Sequence, residues 1–408
     1  MWTDWKLKFQ SVQYMDKEFI YRDLDEEVKR LKSYFPVVVL TGPRQSGKTT
    51  LSKNLFPHYH YVDMMRVAER EQIAVAPESF LKQYAAGLIV DEAQNYPELF
   101  PYIKIVADEI PNSNFILTGS NNFSLMEKVT ESLAGRAATL SLLPFSLKEL
   151  GEEKALSPTD TLLFNGGYPA VWANHIPASD VSRQYYNTYI ERDVHQLINI
   201  KDLSKFQIFI RLCAGRIGSE FNAQSLSNDI GVSHHTIQHW LSILEASYVV
   251  FRLQPFYENI GKRLIKTPKI YFYDTGLVCF LLGIETPEQL KTHPLRGAIF
   301  ENYVVLEFLK NRFNAGKPNN LFFYRDKSQR EVDIVQQFGY QYRAYEIKSA
   351  IAFHSDFLNN LKYLKNLLGD RLLTTKVIYD GTSELNADEN GSINFRSVNT
   401  LDTRFLDL

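Results

Sequence analysis

Short apolar runs, each stopped by small, polar or acidic residues, set the pattern of the first third of the chain. Phe35-Pro36-Val37-Val38-Val39-Leu40 runs into Thr41-Gly42, Gly87-Leu88-Ile89-Val90 into Asp91-Glu92, and Phe115-Ile116-Leu117 into Thr118-Gly119-Ser120. Rich in β-branched residues and bounded by turn signals, these runs predict buried strands, with Tyr59–Asp63 a further one. Residues 20–35 place Ile20, Leu24, Val28 and Leu31 on one face and charges on the other, which predicts a helix. Strands alternating with helices imply a parallel sheet, whose chemistry lies at the carboxyl ends of the strands. The polar and acidic stops fall at those ends.

The first stop carries the most chemistry. Gly42-Pro43-Arg44-Gln45-Ser46-Gly47-Lys48-Thr49, followed by Thr50, is a complete G-x-x-x-x-G-K-[ST] phosphate loop on a strand-to-helix junction. Its glycines let backbone N–H groups wrap a polyphosphate, and Lys48 reaches the β/γ oxygens. Thr49 offers a hydroxyl to Mg²⁺, and the helix beginning at Lys48 points its positive end at the anion. ATP and Mg²⁺ are therefore the expected cofactors. Asp91 is expected to hold Mg²⁺ from behind the oxygens nearest the ion, and Glu92 is placed to polarise the attacking water. Ser120 and Asn121 end a strand where a polar side chain can align the γ-phosphate. Arg44 either touches phosphate or packs on the surface. Arg136 follows the recognised core strands and is a candidate for donation to a neighbour's γ-phosphate, against the plainer reading of a surface charge.

Beyond a charged, turn-rich stretch at Gly151–Asp160, residues 161–215 read as helical, broken at Gly166-Gly167-Tyr168-Pro169. Leu226–Ile230, Gly231-Val232-Ser233 and Thr236–Ser247 then read as helix, turn and helix, followed by strands at Val249–Pro255 and Lys269–Tyr273. Ser233, His234, His235, Gln238 and His239 would populate the exposed side of the second helix. Lys262, Arg263, Lys266 and Lys269 form a basic strip in the hairpin, suited to phosphate contact. His235 and His239 have metal-type spacing but no third ligand is evident.

The last unit, 295–400, holds a second group of acids. Asp333 in Val332–Val335, and Glu346 and Lys348 on one face of Tyr345–Lys348, can cluster across neighbouring strands and hold Mg²⁺ against a phosphodiester. Glu301, on a helix predicted over Ala298–Lys310, shares a face with Val304, Val305 and Phe308. That is an odd place for an unpaired carboxylate, and it makes Glu301 a fourth member.

Composition narrows the field. A chain of 408 residues, 45% hydrophobic and 23% charged, describes a globular protein of two to three domains. Its net charge of −2 gives no global argument for nucleic acid. Two cysteines, Cys213 and Cys279, and no secretory or membrane-length apolar run fit a cytoplasmic protein.

Taken with Val90-Asp91-Glu92-Ala93-Gln94, Leu117-Thr118-Gly119-Ser120, Gly166-Gly167-Tyr168-Pro169, Tyr189-Ile190-Glu191-Arg192-Asp193-Val194 and Asp274-Thr275-Gly276-Leu277, the phosphate loop gives the chain its resemblance. It resembles the bacterial and archaeal AAA-type ATPases that carry a C-terminal domain of uncharacterised function. The likeness covers roughly residues 20–400, and the first ten residues fall outside it. It implies an α/β P-loop NTPase core over 20–150, a helical lid over 151–215, a winged helix-turn-helix over 216–290 and a PD-(D/E)xK-like domain over 291–408. It also implies a homo-oligomer, ring-shaped in form, with Arg136 acting in trans. The expected function is ATP hydrolysis exerted on DNA, with the C-terminal domain cutting or gripping nucleic acid. The alternative is a nucleotide-dependent switch that docks a protein partner, with a silent C-terminal domain. A metabolic kinase is disfavoured, because no small-molecule motif accompanies the loop.

Overall fold

The computed structural model describes residues 19–120, 129, 131–188, 203–256, 267–382 and 390–401. The apolar runs form a five-stranded, all-parallel sheet of β1 (Val37–Thr41), β2 (His60–Asp63), β3 (Leu88–Asp91), β4 (Phe115–Thr118) and β5 (Ala137–Ser141), in the order β2-β3-β4-β1-β5. β1, β3 and β4 are buried at every position, as continuous apolar runs require. Val37, Val39, Val90 and Leu117 pack under the helix Phe100–Glu109, while Val38, Leu40, Ile89 and Ile116 face the helices Asp25–Lys32 and Lys48–Leu55. The first helix is shorter than the sequence expectation and begins at Asp25, not residue 20.

β5 was not legible in the sequence. Its Ala-Ala-Thr-Leu-Ser sequence is only intermittently buried, because it is an edge strand, and edge strands lack a continuous apolar signal. Its presence corrects the placement of Arg136, which precedes the last strand of the sheet and does not follow it. The Gly151–Asp160 stretch also differs from expectation. Its first five residues belong to the helix Leu147–Ala155, kinked where Gly151 takes φ 76°, and only 156–158 separate that helix from the next, which starts at Thr159. Helices Thr159–Asn165 and Pro169–Trp172 break at Gly166–Tyr168, as the sequence indicates.

Helices Ala223–Ile230 and His234–Ala246 meet at Gly231, whose φ is 72°, and Ser233 caps the second by accepting from the Thr236 N–H. β6 (Val250–Pro255) and β7 (Lys269–Phe272) follow as an antiparallel pair. β6 then runs beside β8 (Leu321–Arg325) and joins β9 (Glu331–Phe338), β10 (Gln341–Lys348), β11 (Leu372–Tyr379) and β12 (Asn390–Asn394) in one mixed sheet. The hairpin strands and the C-terminal strands are therefore continuous across residue 290. The helix Arg296–Asn314, longer at both ends than expected, is buried on most of its surface. It also ties the C-terminal part to the segment that follows β5. Lys310 Nζ donates to the Phe145 carbonyl at 2.7 Å, and the Leu147 N–H donates to Glu307 at 2.8 Å.

Candidate functional site

At the end of β1 the chain must turn away from the sheet while keeping its N–H groups inward. Gly42 takes φ 142° with its Cα so close to the neighbouring strand that a Cβ would lie 2.2 Å from the Leu142 carbonyl oxygen. Gly47, at φ 98°, starts the helix Lys48–Leu55. A side chain at either position would fill or strain the loop. Lys48 is buried and folded back, donating to the Gly42 and Pro43 carbonyls at 3.0 and 2.8 Å. Burial pushes its ammonium down to about 8. The Ser46 hydroxyl is buried with no hydrogen-bond partner among the described residues, an orphan donor within the loop.

The acids arrive from the next strands. Thr49 Oγ1 donates to both oxygens of Asp91, at 3.0 and 2.9 Å. Tyr61 donates to Asp91 Oδ2 at 2.8 Å, and the Thr118 hydroxyl donates to Oδ1. Glu92 takes a left-handed φ of 50°, which turns its carboxylate toward Gln94 and Ser120; the Ser120 hydroxyl donates to it at 3.1 Å. A cavity of about 640 Å³ opens beside these groups, lined by Gln45, Lys48, Thr49 and Glu92 on one side and by Ile20, Ala170 and Val181 on the other. A hydroxyl and a carboxylate are hard oxygen donors, the set that Mg²⁺ takes beside phosphate.

Two supports of this site had no signal in the sequence. Arg22 is buried and donates to the Ser46 carbonyl at 2.8 Å, the Leu143 carbonyl at 2.6 Å and Glu149 at 2.9 Å. Burial alone would raise the Glu149 carboxyl, but Arg22 holds it below the ordinary range. Tyr61 is the other, and only strand pairing brings it to Asp91. The Gly166–Pro169 and Asp274–Leu277 motifs also come together. Asp274 accepts from the Gly167 N–H at 2.7 Å, and a Cβ on Gly166 would lie 2.4 Å from its carboxylate. Pro169 beyond that turn lines the cavity.

Arg136 lies elsewhere. β5 pairs with β1 in the register Val37↔Ala137, so Arg136 sits at the sheet edge opposite the phosphate loop. Five strand residues separate the two levels, roughly 16 Å. Its guanidinium pairs with Asp108 at 2.5 and 2.9 Å and is partly exposed. It does not reach the phosphate loop of its own chain.

In the C-terminal sheet Glu301, Asp333, Glu346 and Lys348 do converge, but around an ammonium. Lys269 Nζ lies 2.9 Å from Glu301, 2.6 Å from Glu331 and 3.8 Å from Asp333. Glu301 also accepts from the Tyr271 hydroxyl at 2.5 Å, so the expectation of an unpaired carboxylate is corrected. Lys348 donates to Glu346 at 2.6 Å, and Asp333 accepts from the Ile347 N–H at 2.7 Å. Burial, then repulsion from Glu301 and Glu346, pushes the Asp333 carboxyl well above its usual range. Among the described residues, no three His, Cys, Asp or Glu side chains are arranged to hold a metal ion.

Lys269 is thereby removed from the basic strip, because it is 1% exposed and points into the acids. Lys262, Arg263 and Lys266 lie outside the described residues, as do Asn121 and the Tyr189–Val194 motif. His234, His235, Gln238 and His239 are exposed on the second helix, as expected.

The sequence pattern of AAA domains matches residues 34–151, and two domains of unknown function, DUF8612 and DUF4143, match 157–288 and 296–398. An uncharacterized protein of Mycobacterium tuberculosis is 32% identical over 339 residues, covering 80% of this chain and 73% of its own length. The chain belongs to the AAA-type P-loop ATPase family. An uncharacterized protein of Haemophilus influenzae is 22% identical to this AAA-type chain, over 83% of it and 89% of the relative. Among solved structures, the Walker-type ATPase of Pyrococcus abyssi covers 64% of the chain and 94% of its own, at 16% identity and a TM-score of 0.41. The Thermotoga maritima RuvB Holliday junction branch migration motor covers 56% of the chain and 89% of its own, at 17% identity and a TM-score of 0.29. Membership implies nucleotide binding at the loop. No helix among the described residues is long and apolar enough to cross a membrane.

Proposed function

We propose that this AAA-type protein hydrolyses ATP with Mg²⁺ and exerts the cycle on nucleic acid as a homo-oligomer. The observation that carries the hydrolysis is the contact of Thr49 with both Asp91 oxygens beside the phosphate loop, with Glu92 next in sequence and turned toward the same strand ends. Thr49 and Asp91 would hold Mg²⁺, which when bound neutralises charge on the β- and γ-phosphates. Lys48 leaves the Gly42 and Pro43 carbonyls to meet phosphate oxygens, and the loop N–H groups and Ser46 enclose them. Glu92 accepts the proton of the attacking water once released from Gln94 and Ser120. Arg136, out of reach of its own site, serves the γ-phosphate of a neighbouring subunit.

Support for nucleic acid comes from the exposed polar face of the helix His234–Ala246, where His235 and Gln238 would meet bases or phosphates. Lys262, Arg263 and Lys266 would add phosphate contacts, together giving a winged-helix mode of binding. Cleavage by the PD-(D/E)xK-like cluster is not part of this reading, because Lys269 supplies the positive charge that a metal would otherwise bring. The same observation favours one second reading, a nucleotide-dependent switch that docks a protein partner. The test measures phosphate release by purified protein with Mg²⁺, with and without DNA, at low and high salt. Stimulation by DNA, lost steeply as salt rises, is expected. Turnover indifferent to DNA would leave the switch, and absence of Mg²⁺-dependent turnover would remove both.

A further inference from the structure

Asp91 carries more donors than a strand-end acid needs. Thr49 reaches both of its oxygens, Thr118 holds Oδ1, and Tyr61 holds Oδ2 at 2.8 Å. Tyr61 comes from the neighbouring strand. The register pairs Tyr61 with Ile89 and Asp63 with Asp91, so Tyr61 crosses the ladder diagonally, a reach that a long aromatic side chain has. Its ring is fixed from the other side by Lys53, whose ammonium sits 3.4 Å from the ring centroid.

We infer that Tyr61 is a positioning residue for the metal-binding carboxylate, and that its hydroxyl sets the affinity of the nucleotide complex for Mg²⁺. The inference rests on the ATPase reading. A carboxylate free to rotate presents its oxygens to the metal only part of the time. Thr49 can face the metal through an oxygen lone pair while its O–H still donates to Asp91, and Tyr61 and Thr118 are the further donors that hold the carboxylate in plane. Losing such an outer partner of a metal ligand typically lowers metal affinity by about 10–100-fold.

The test uses the full chain and a non-hydrolysable ATP analogue, with binding followed by calorimetry in EDTA and across a Mg²⁺ titration. Tyr61→Phe keeps the ring and its contact with Lys53 and removes only the donor. It is expected to raise the Mg²⁺ concentration for half-saturation of the analogue complex by about tenfold. Its affinity for the analogue in EDTA should equal that of the wild type. Lys53→Met, which removes the cation over the ring but keeps the hydroxyl donor, should shift the Mg²⁺ titration much less than Tyr61→Phe does. A wild-type Mg²⁺ affinity in Tyr61→Phe would overturn the inference. So would an equal loss in EDTA, or an equal shift in Lys53→Met, since either points to packing and not to the hydroxyl. If wild-type protein binds the analogue with no enhancement by Mg²⁺, the ATPase reading itself falls.

Discussion

Replacing Lys269 by Met tests whether the C-terminal acids are held together by that one ammonium. Methionine keeps the unbranched stem and its packing while removing the charge. At about 3 Å and an effective dielectric of ~20, each of the two close attractions is on the order of 5 kcal/mol before desolvation is subtracted. Removing one member of such a buried cluster costs about 3–5 kcal/mol net, because the remaining charges stay buried without their partner. The pH dependence separates charge from packing. Burial and the repulsion of Glu301 and Glu346 already raise the Asp333 carboxyl, so the folded state binds its proton more tightly than the unfolded chain. That contribution to stability is present below the unfolded value near ~4 and is lost as pH rises through the folded value. Without Lys269 the Asp333 carboxyl rises further, so Lys269→Met should lose more stability at pH 8 than at pH 5. Urea unfolding followed by circular dichroism reads both. A loss under about 1 kcal/mol at pH 8, or the same loss at both pH values, would refute the electrostatic account.

Lys48→Ala should abolish ATP turnover by removing the phosphate cation, whereas Glu92→Gln should keep nucleotide affinity and lose turnover by about a hundredfold or more; paired binding and phosphate-release assays decide. Because Lys48 sits at about 8 in the free protein and phosphate favours its charged form, nucleotide affinity in EDTA should fall as pH rises above about 8. Calorimetry in two buffers should show proton uptake on binding near that pH, and pH-independent affinity from 7 to 9 would contradict it. Mixing Arg136→Ala subunits with Lys48→Ala subunits should restore part of the turnover. No restoration in mixtures shown to co-assemble would count against a shared site.

Much of the ATPase core was legible in the chain because its determinants are local. Three buried strands announce themselves as apolar runs, and the glycines of 42–49 follow from what a backbone must do to wrap phosphate. Asp91 and Glu92 needed only their place at a strand end. The edge strand Ala137–Ser141 stayed hidden, because half-exposed Ala and Thr carry little hydrophobic signal. Missing it put Arg136 on the wrong side of the last strand. Strand alternation suggested that Asp333, Glu346 and Lys348 could meet, and a helix face suggested Glu301, but the ammonium among these acids carried no such signal. Lys269 lies far from Asp333 in sequence and reads as one more base in a basic strip, and only the folding of its strand into the same sheet turns it inward. The same holds for Tyr61 over Asp91, for Arg22 beneath the phosphate loop and for Asp274 against Gly167. Periodicity and motif spacing report a residue's own element. Which charge meets which is decided by sheet order and register, and those arise only when distant segments pack.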